Sequence, residues 1–139
     1  MNRNLLAFAM SLALLLSAAA HAQTTQLRVT VPFDFTAGGI VLPAGAYYVK
    51  SMDHWGGSTL SVHNVNSNAG TIVLSTSCRS QKPSADAKLV FRRYGQQYFL
   101  AEVWNRHSSD GNQIQISSRQ TELAKNRSKD EVVLIALEK

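Results

Sequence analysis

The chain has 139 residues, of which 45% are hydrophobic and 17% charged; its net charge is +5 and it holds one cysteine. That length suits one domain with one core. A single cysteine excludes a disulfide-stapled scaffold, so stability has to come from packing.

The first residues read as a leader. "MNRN" carries one positive charge, Arg3, and "LLAFAMSLALLLSAAA" (5–20) is an unbroken apolar run of 16 residues. A spanning helix wants about 20 residues. Ala20 and Ala22 in "AHA" stand at the small-residue positions that signal peptidase requires, which predicts a cut between Ala22 and Gln23. No cysteine follows the run for a lipid anchor, and no twin-arginine pair precedes it. The expectation is a signal peptide over 1–22, general secretion to a bacterial periplasm or beyond, and a single β-rich domain over 23–139. Processing leaves 13 basic against 9 acidic residues, a charge of +4. No later apolar run is long enough to cross a bilayer as a helix.

Period-two alternation dominates the rest. "LRVTVPFDF" (27–35) sets Leu27, Val29, Val31, Phe33 and Phe35 on one face, which predicts a half-buried strand. Pro32 cannot donate to a ladder and marks an edge or a bulge. Gly38-Gly39 ends that strand, and "LPAG" (42–45) is a turn. "AYYVKSM" (46–52) is the second strand, with Tyr47, Val49 and Ser51 sharing a face. His54 to Gly57 make a turn. "TLSVHNV" (59–65) follows, with Leu60 and Val62 inward. "TIVLSTS" (71–77) is the fourth strand, with Ile72 and Leu74 on one face.

"SQKPSAD" (80–86) is a polar loop. "AKLVFRRY" (87–94) and "QYFLAEVW" (97–104) flank a tight "GQ" turn and read as a hairpin. Leu89 and Phe91 share one face; Val90, Arg92 and Tyr94 share the other. "NRHSSDGN" (105–112) is a loop with its turn at Asp110-Gly111, and "QIQI" (113–116) is a short strand at most. "SSRQTELAKNRS" (117–128) is the helical passage, with Ser118 as N-cap and no capping box, because Thr121 stands three residues on. "EVVLIAL" (131–137) is apolar on both faces, which implies cover on both sides or a central place in the sheet. Leu123 and Ala124 of the helix are the residues expected to cover one face. Seven or eight short strands between turns predict an all-β domain, a small antiparallel β-barrel or β-sandwich, with one short helix before the last strand. A transmembrane barrel would want at least about 8 strands of about 9–11 residues and a lipid-facing apolar band, and these strands are shorter.

Catalytic and metal patterns are sparse. His54, His63 and His107 lack ligand spacing with Cys, Asp or Glu. No serine sits in a G-x-S-x-G elbow. No catalytic, cofactor or metal residue is assigned. Arg79, Lys82, Lys88, Arg92 and Arg93 form a mild basic cluster that reads as a solvated face, and nucleic-acid binding is not expected. Cys78 reads as a buried small side chain. Tyr47, Tyr48, Trp55, Tyr94, Tyr98 and Trp104 could line a barrel mouth for an apolar or sugar ligand, or serve as core and cross-strand pairs.

"VPFDFTAGGIVLPAGAYYV" (31–49) and "KLVFRRYGQQYFLAEVW" (88–104) together resemble a family of small secreted proteins abundant in Acidobacteria. The resemblance runs from the leader to the last strand and includes "ELAK" at 122–125. It implies an extracytoplasmic site and carries over no activity and no functional residues. The expected function is a secreted, non-enzymatic β domain with a binding or structural role at the cell envelope, for an envelope partner or a small ligand. The alternatives are a carrier with an apolar ligand in a barrel cavity, and an enzyme assembled from scattered residues such as Cys78, His63 and Glu102.

Overall fold

In the computed structural model of the chain, the described residues are 26–52, 58–126 and, as backbone, 131–136. The predicted leader with its Ala22–Gln23 junction, the predicted turn with His54 and Trp55, and residues 127–130 and 137–139 lie outside them. The described chain is all-β with one short helix. In order it forms β1 (Gln26–Val31), β2 (Phe35–Ala37), β3 (Ile40–Leu42), β4 (Gly45–Ser51), β5 (Ser58–Asn64), β6 (Gly70–Arg79), β7 (Lys88–Tyr94), β8 (Gln97–Trp104), β9 (Asp110–Ile114), α1 (Ser118–Asn126) and β10 (Glu131–Ala136).

Ten described strands exceed the expected seven or eight because the first predicted strand divides and an unpredicted one, β3, follows it. β1 stops at Val31. Pro32 lacks the N–H that would continue the ladder, and the Asp34 carboxylate accepts a hydrogen bond from the Ala44 N–H at 2.8 Å. The chain restarts as β2 and returns at once as β3. Gly38 and Gly39, at φ +57° and +85°, fill the two-residue turn between them. Two consecutive positive φ values match a type I′ hairpin turn, which glycine adopts without steric cost.

The ladder runs β1-β4-β5-β6-β9-β8. β7 lies along one edge of β8, and β10 lies beyond β7. The other edge of β8 is shared: Glu102 to Trp104 pair with β9, and Tyr98 and Phe99 pair with β2. All pairings are antiparallel except β2 with β8, which is parallel. The backbone of β10 comes close to β1. No ladder joins the two among the described residues, so the curled sheet stays open at that seam. β10 is therefore the last strand of its branch, with β7 as its one described partner, and not a central strand. A run that is apolar on both faces also suits a strand lying at a seam. Leu123 is half-buried and Ala124 is exposed, so α1 turns only the first of the two inward.

The inner face is packed. Val29, Val31, Phe35, Tyr47, Val49, Leu89 and Phe91 are each at most 2% exposed. Burying each of these apolar side chains contributes roughly 1.5–3 kcal/mol. Phe35 meets Tyr47 and Phe91 edge to face, at 5.1 Å and 5.3 Å between centroids. Phe33, in the break after β1, stacks on Tyr98 at 3.8 Å. The Tyr47 hydroxyl donates to the Pro43 carbonyl.

β6 runs from Gly70 through Cys78 to Arg79. Ile72 and Leu74 do share a face, and it is the outer one: they are 56% and 60% exposed, while Val73 is 1% exposed. The partner strand decides this. β5 opposes Leu60 to Val73 and Val62 to Thr71, and those pairs point inward. At the helix, Ser117 rather than Ser118 is the N-cap. Its Oγ accepts from the Gln120 N–H at 3.3 Å, and its carbonyl from the Thr121 N–H at 3.0 Å. Ser117 with Gln120 is the Ser-x-x-Gln pairing that a count from Ser118 misses by one residue.

Candidate functional site: an outer groove over β7 and β8

The hairpin β7–β8 is the most regular part of the sequence, and its alternation decides what faces outward. Leu89, Phe91, Leu100 and Val103 belong to the core. Lys88, Val90 and Arg92 of β7, with Glu102 and Trp104 of β8, therefore point out. The register sets Lys88 opposite Trp104 and Val90 opposite Glu102. A bulge between Val90 and Phe91 leaves Ala101 without an opposite residue. It adds local twist at this point in the ladder.

The loop 80–87 walls this surface on one side. The Ser80 N–H donates to the Ser109 carbonyl at 2.8 Å, the Ser84 N–H to the Ser108 carbonyl at 3.0 Å, and the His107 N–H to the Ser84 carbonyl at 2.8 Å. The Ser84 hydroxyl donates to the Asp86 carbonyl at 2.6 Å. The loop is thus tied to the segment before β9. It encloses a groove of about 470 Å³ whose lining includes Lys82, Pro83, Lys88, Arg92, Glu102 and Trp104.

Two contacts fix the indole of Trp104. Its Nε1–H donates to Glu102 Oε2 at 2.7 Å. Its ring lies over Gly111, its cross-strand neighbour, so closely that a Cβ at 111 would stand 2.6 Å from the ring. That approach explains why Asp110 and Gly111 continue a strand instead of making the expected turn. A large aromatic beside a strand glycine fills the space the missing side chain leaves.

The basic cluster is more organised than a solvated face. Lys82, Lys88 and Arg92 share the groove, with one carboxylate, Glu102, among them. Arg79 stands apart, ion-paired to Asp110 at 2.8 Å in the open. The shared face of Glu102 and Trp104 was legible as an i, i+2 relation on a strand. The loop that closes the groove was not.

Cys78 pairs with Gly111, which in turn pairs with Trp104. The thiol therefore sits one strand beyond the ring. Burial pushes its pKa up, and the Glu102 carboxylate pushes in the same direction. A thiol held protonated is a poor nucleophile. His63 is elsewhere: it pairs with Gly70, eight residues from Cys78 along β6. At about 3.3 Å per residue that is roughly 26 Å. The Cys78 thiol lies within the field of the Glu102 carboxylate, two strands away; His63 does not join them. His107 lies in the turn before β9 with φ +55°, and Asp34 is used by the Ala44 N–H. The five described rings of the aromatic set disperse. Tyr47 and Tyr98 pack inward, Tyr94 pairs with Phe99, Tyr48 lies under the Arg28 guanidinium at 5.9 Å, and Trp104 faces the groove.

Two further surfaces stand out. Between the inner faces of β1, β4, β5 and β8 a pocket of about 200 Å³ is lined by Leu27, Val49, Leu60 and Val103 with Ser51, Asn105 and Asn112. That is below the usual range of about 300–1,000 Å³ for small-molecule sites. On the outside, Ile72 and Leu74 join Ile116, itself 59% exposed, in an apolar strip beside Gly38. No helix among the described residues is long and apolar enough to cross a membrane. Comparison of the chain with protein-family models, with curated proteins and with solved structures finds no match.

Proposed function

We propose that this chain is an exported, non-catalytic β domain that works by binding at the cell envelope. The observation that carries the reading is the combination of a filled interior with a walled outer groove. Side chains at most 2% exposed fill the inner face of the curled sheet, where a carrier would hold its cargo. The groove, by contrast, offers charge, one fixed ring and one acceptor, which is equipment for holding a ligand. Lys50, His63, Lys88 and Arg92 on outer faces would oppose a lipid-facing band. The leader-like residues 1–22 and the resemblance to secreted acidobacterial proteins support the location.

The test uses the full chain expressed with its first 22 residues. The expected product begins at Gln23, is released with the periplasmic or extracellular fraction, and co-sediments with purified envelope material. The recovered envelope material should be chemically unchanged, and native mass spectrometry should show no stoichiometric apolar ligand. Retention of residues 5–20, cleavage of the envelope material, or a bound lipid-sized mass would each overturn the reading.

A further inference from the structure

We propose that the groove over β7 and β8 binds an acidic saccharide chain, with Trp104 as the stacking platform and Lys82, Lys88 and Arg92 as the anion-binding side chains. The inference rests on the envelope-binding reading and names the ligand class of that same site.

Charge comes first. Three cationic side chains and one carboxylate line a single groove, so the net field favours an anion. Among the described residues neither the Lys82 nor the Lys88 ammonium has an ion-pair partner. The two lysines come from different elements, one on the loop and one on β7, so they can reach a ligand from two sides.

The ring narrows the class. One face of the indole is covered by Gly111, and its N–H is taken by Glu102. It cannot swing, and it has no donor left to offer. What remains to present is its flat apolar surface. The C–H face of a pyranose ring suits such a surface, because an amphipathic ring presents an apolar body to an apolar partner. At about 470 Å³ the groove falls within the range for small-molecule sites.

Glu102 separates a sugar from other polyanions. A carboxylate accepts hydrogen bonds and donates none. With Oε2 engaged by the indole, the other oxygen of this groove-lining carboxylate is left to accept from a hydroxyl donor. Sugar hydroxyls supply donors. Ionised phosphate groups and polyphosphate supply none and would be repelled by it. Nucleic acid would in addition want several stacking platforms along the strand, and the groove lining has one aromatic ring.

The experiment titrates the secreted protein with a galacturonic acid oligomer by calorimetry at low salt. Neutral galactose oligomers, inorganic polyphosphate and oligo-dT are run beside it. The galacturonate oligomer should bind, and the neutral oligomer should not. Affinity should fall as salt rises, because ion pairs in an open groove with the exposed Lys82 and the half-buried Lys88 are screened. Trp104→Ala should lower affinity by about tenfold or more, and Lys88→Ala and Lys82→Ala should flatten the salt dependence. Lys82→Glu lies on the loop and leaves both strands intact, so it keeps the test decisive if Trp104→Ala unfolds. Glu102→Gln should weaken the galacturonate oligomer yet spare or improve polyphosphate. Equal affinity for polyphosphate or oligo-dT would overturn the saccharide assignment. Galacturonate binding that Trp104→Ala and Lys82→Glu leave unchanged would overturn the site. Envelope co-sedimentation that survives Lys82→Glu would leave the envelope reading standing and sink this groove alone.

Discussion

Two outer surfaces of one curled sheet differ in kind. Over β7 and β8 the chain returns as a loop, is tied to the 105–109 segment by backbone hydrogen bonds, and walls a polar groove. Over β6, Ile72 and Leu74 stand more than half exposed with Ile116 beside them. The apolar strip has area but no group that would orient a ligand. The groove has less apolar area, and it has a fixed ring, an acceptor and charge. Orientation comes from polar groups in defined places, so the groove and not the strip has the makings of a specific site. The strip is a place for weak, general association.

Changes at several depths separate the two surfaces. Ending the chain after residue 130 removes β10, which pairs with β7 along six register positions. Cooperative unfolding in urea should be lost, because total stability is only about 5–15 kcal/mol. Both surfaces should vanish together. A truncated protein that still unfolds in one sharp transition would mean that β7 needs no outer partner.

Phe91→Ala acts from inside. Phe91 is fully buried and meets Phe33 and Phe35 edge to face. A loss of about 3–5 kcal/mol in denaturant unfolding is expected, with groove binding retained under native conditions. Gly111→Ala attacks the groove alone. Its Cβ would press on the indole, so an overpacking cost of about 1–3 kcal/mol is expected. A change in tryptophan fluorescence and weaker saccharide binding should accompany it. An unchanged emission spectrum would mean that the ring has room to yield.

The strip should respond least. Ile72→Thr with Leu74→Thr should shift stability by no more than about 0.5 kcal/mol per site, while sedimentation shows less self-association. Cys78 gives a pH-dependent reading of the same outer face. Its folded pKa is raised by burial and by Glu102. The folded state therefore keeps its proton to higher pH than the unfolded state does. Any stability it adds is present below the unfolded thiol pKa and is lost as pH rises through the folded value. Alkylation at mildly alkaline pH should be slower in native than in denatured protein, and Glu102→Gln should narrow the gap. Faster labelling of the native form would make Cys78 a functional thiol.

Alternation made much of this fold legible. Tyr47 and Val49 share a face as "AYYVK" predicts, as do Leu89 and Phe91 in "KLVFRRY", and in both strands that face is the inner one. Where alternation carries apolar residues on both parities it cannot choose. In "TIVLS" the larger pair lies outside because the register with β5 decides. The interruption at Pro32 was visible in the sequence, but not that Phe35 would begin a strand with a distant partner. The groove was half legible. Its strand residues follow from parity, while its wall depends on three backbone hydrogen bonds between segments more than twenty positions apart, which leave no local signal.

The divided edge of β8 also sets an order of assembly. β4, β5 and β6 are neighbours in sequence and can form as successive hairpins. β2 must wait for β8: Phe35 and Tyr98 are register partners 63 positions apart. Closing so long a loop has an entropic cost before any contact offsets it. A three-residue strand also returns little for that cost. The β2–β3 hairpin should therefore dock late, and its amides should exchange with solvent sooner than those of β5. A chain that begins to emerge from its N-terminus would carry Phe33 without its ring partners Phe91 and Tyr98, and Phe35 without its β8 partner, until residue 98 had followed.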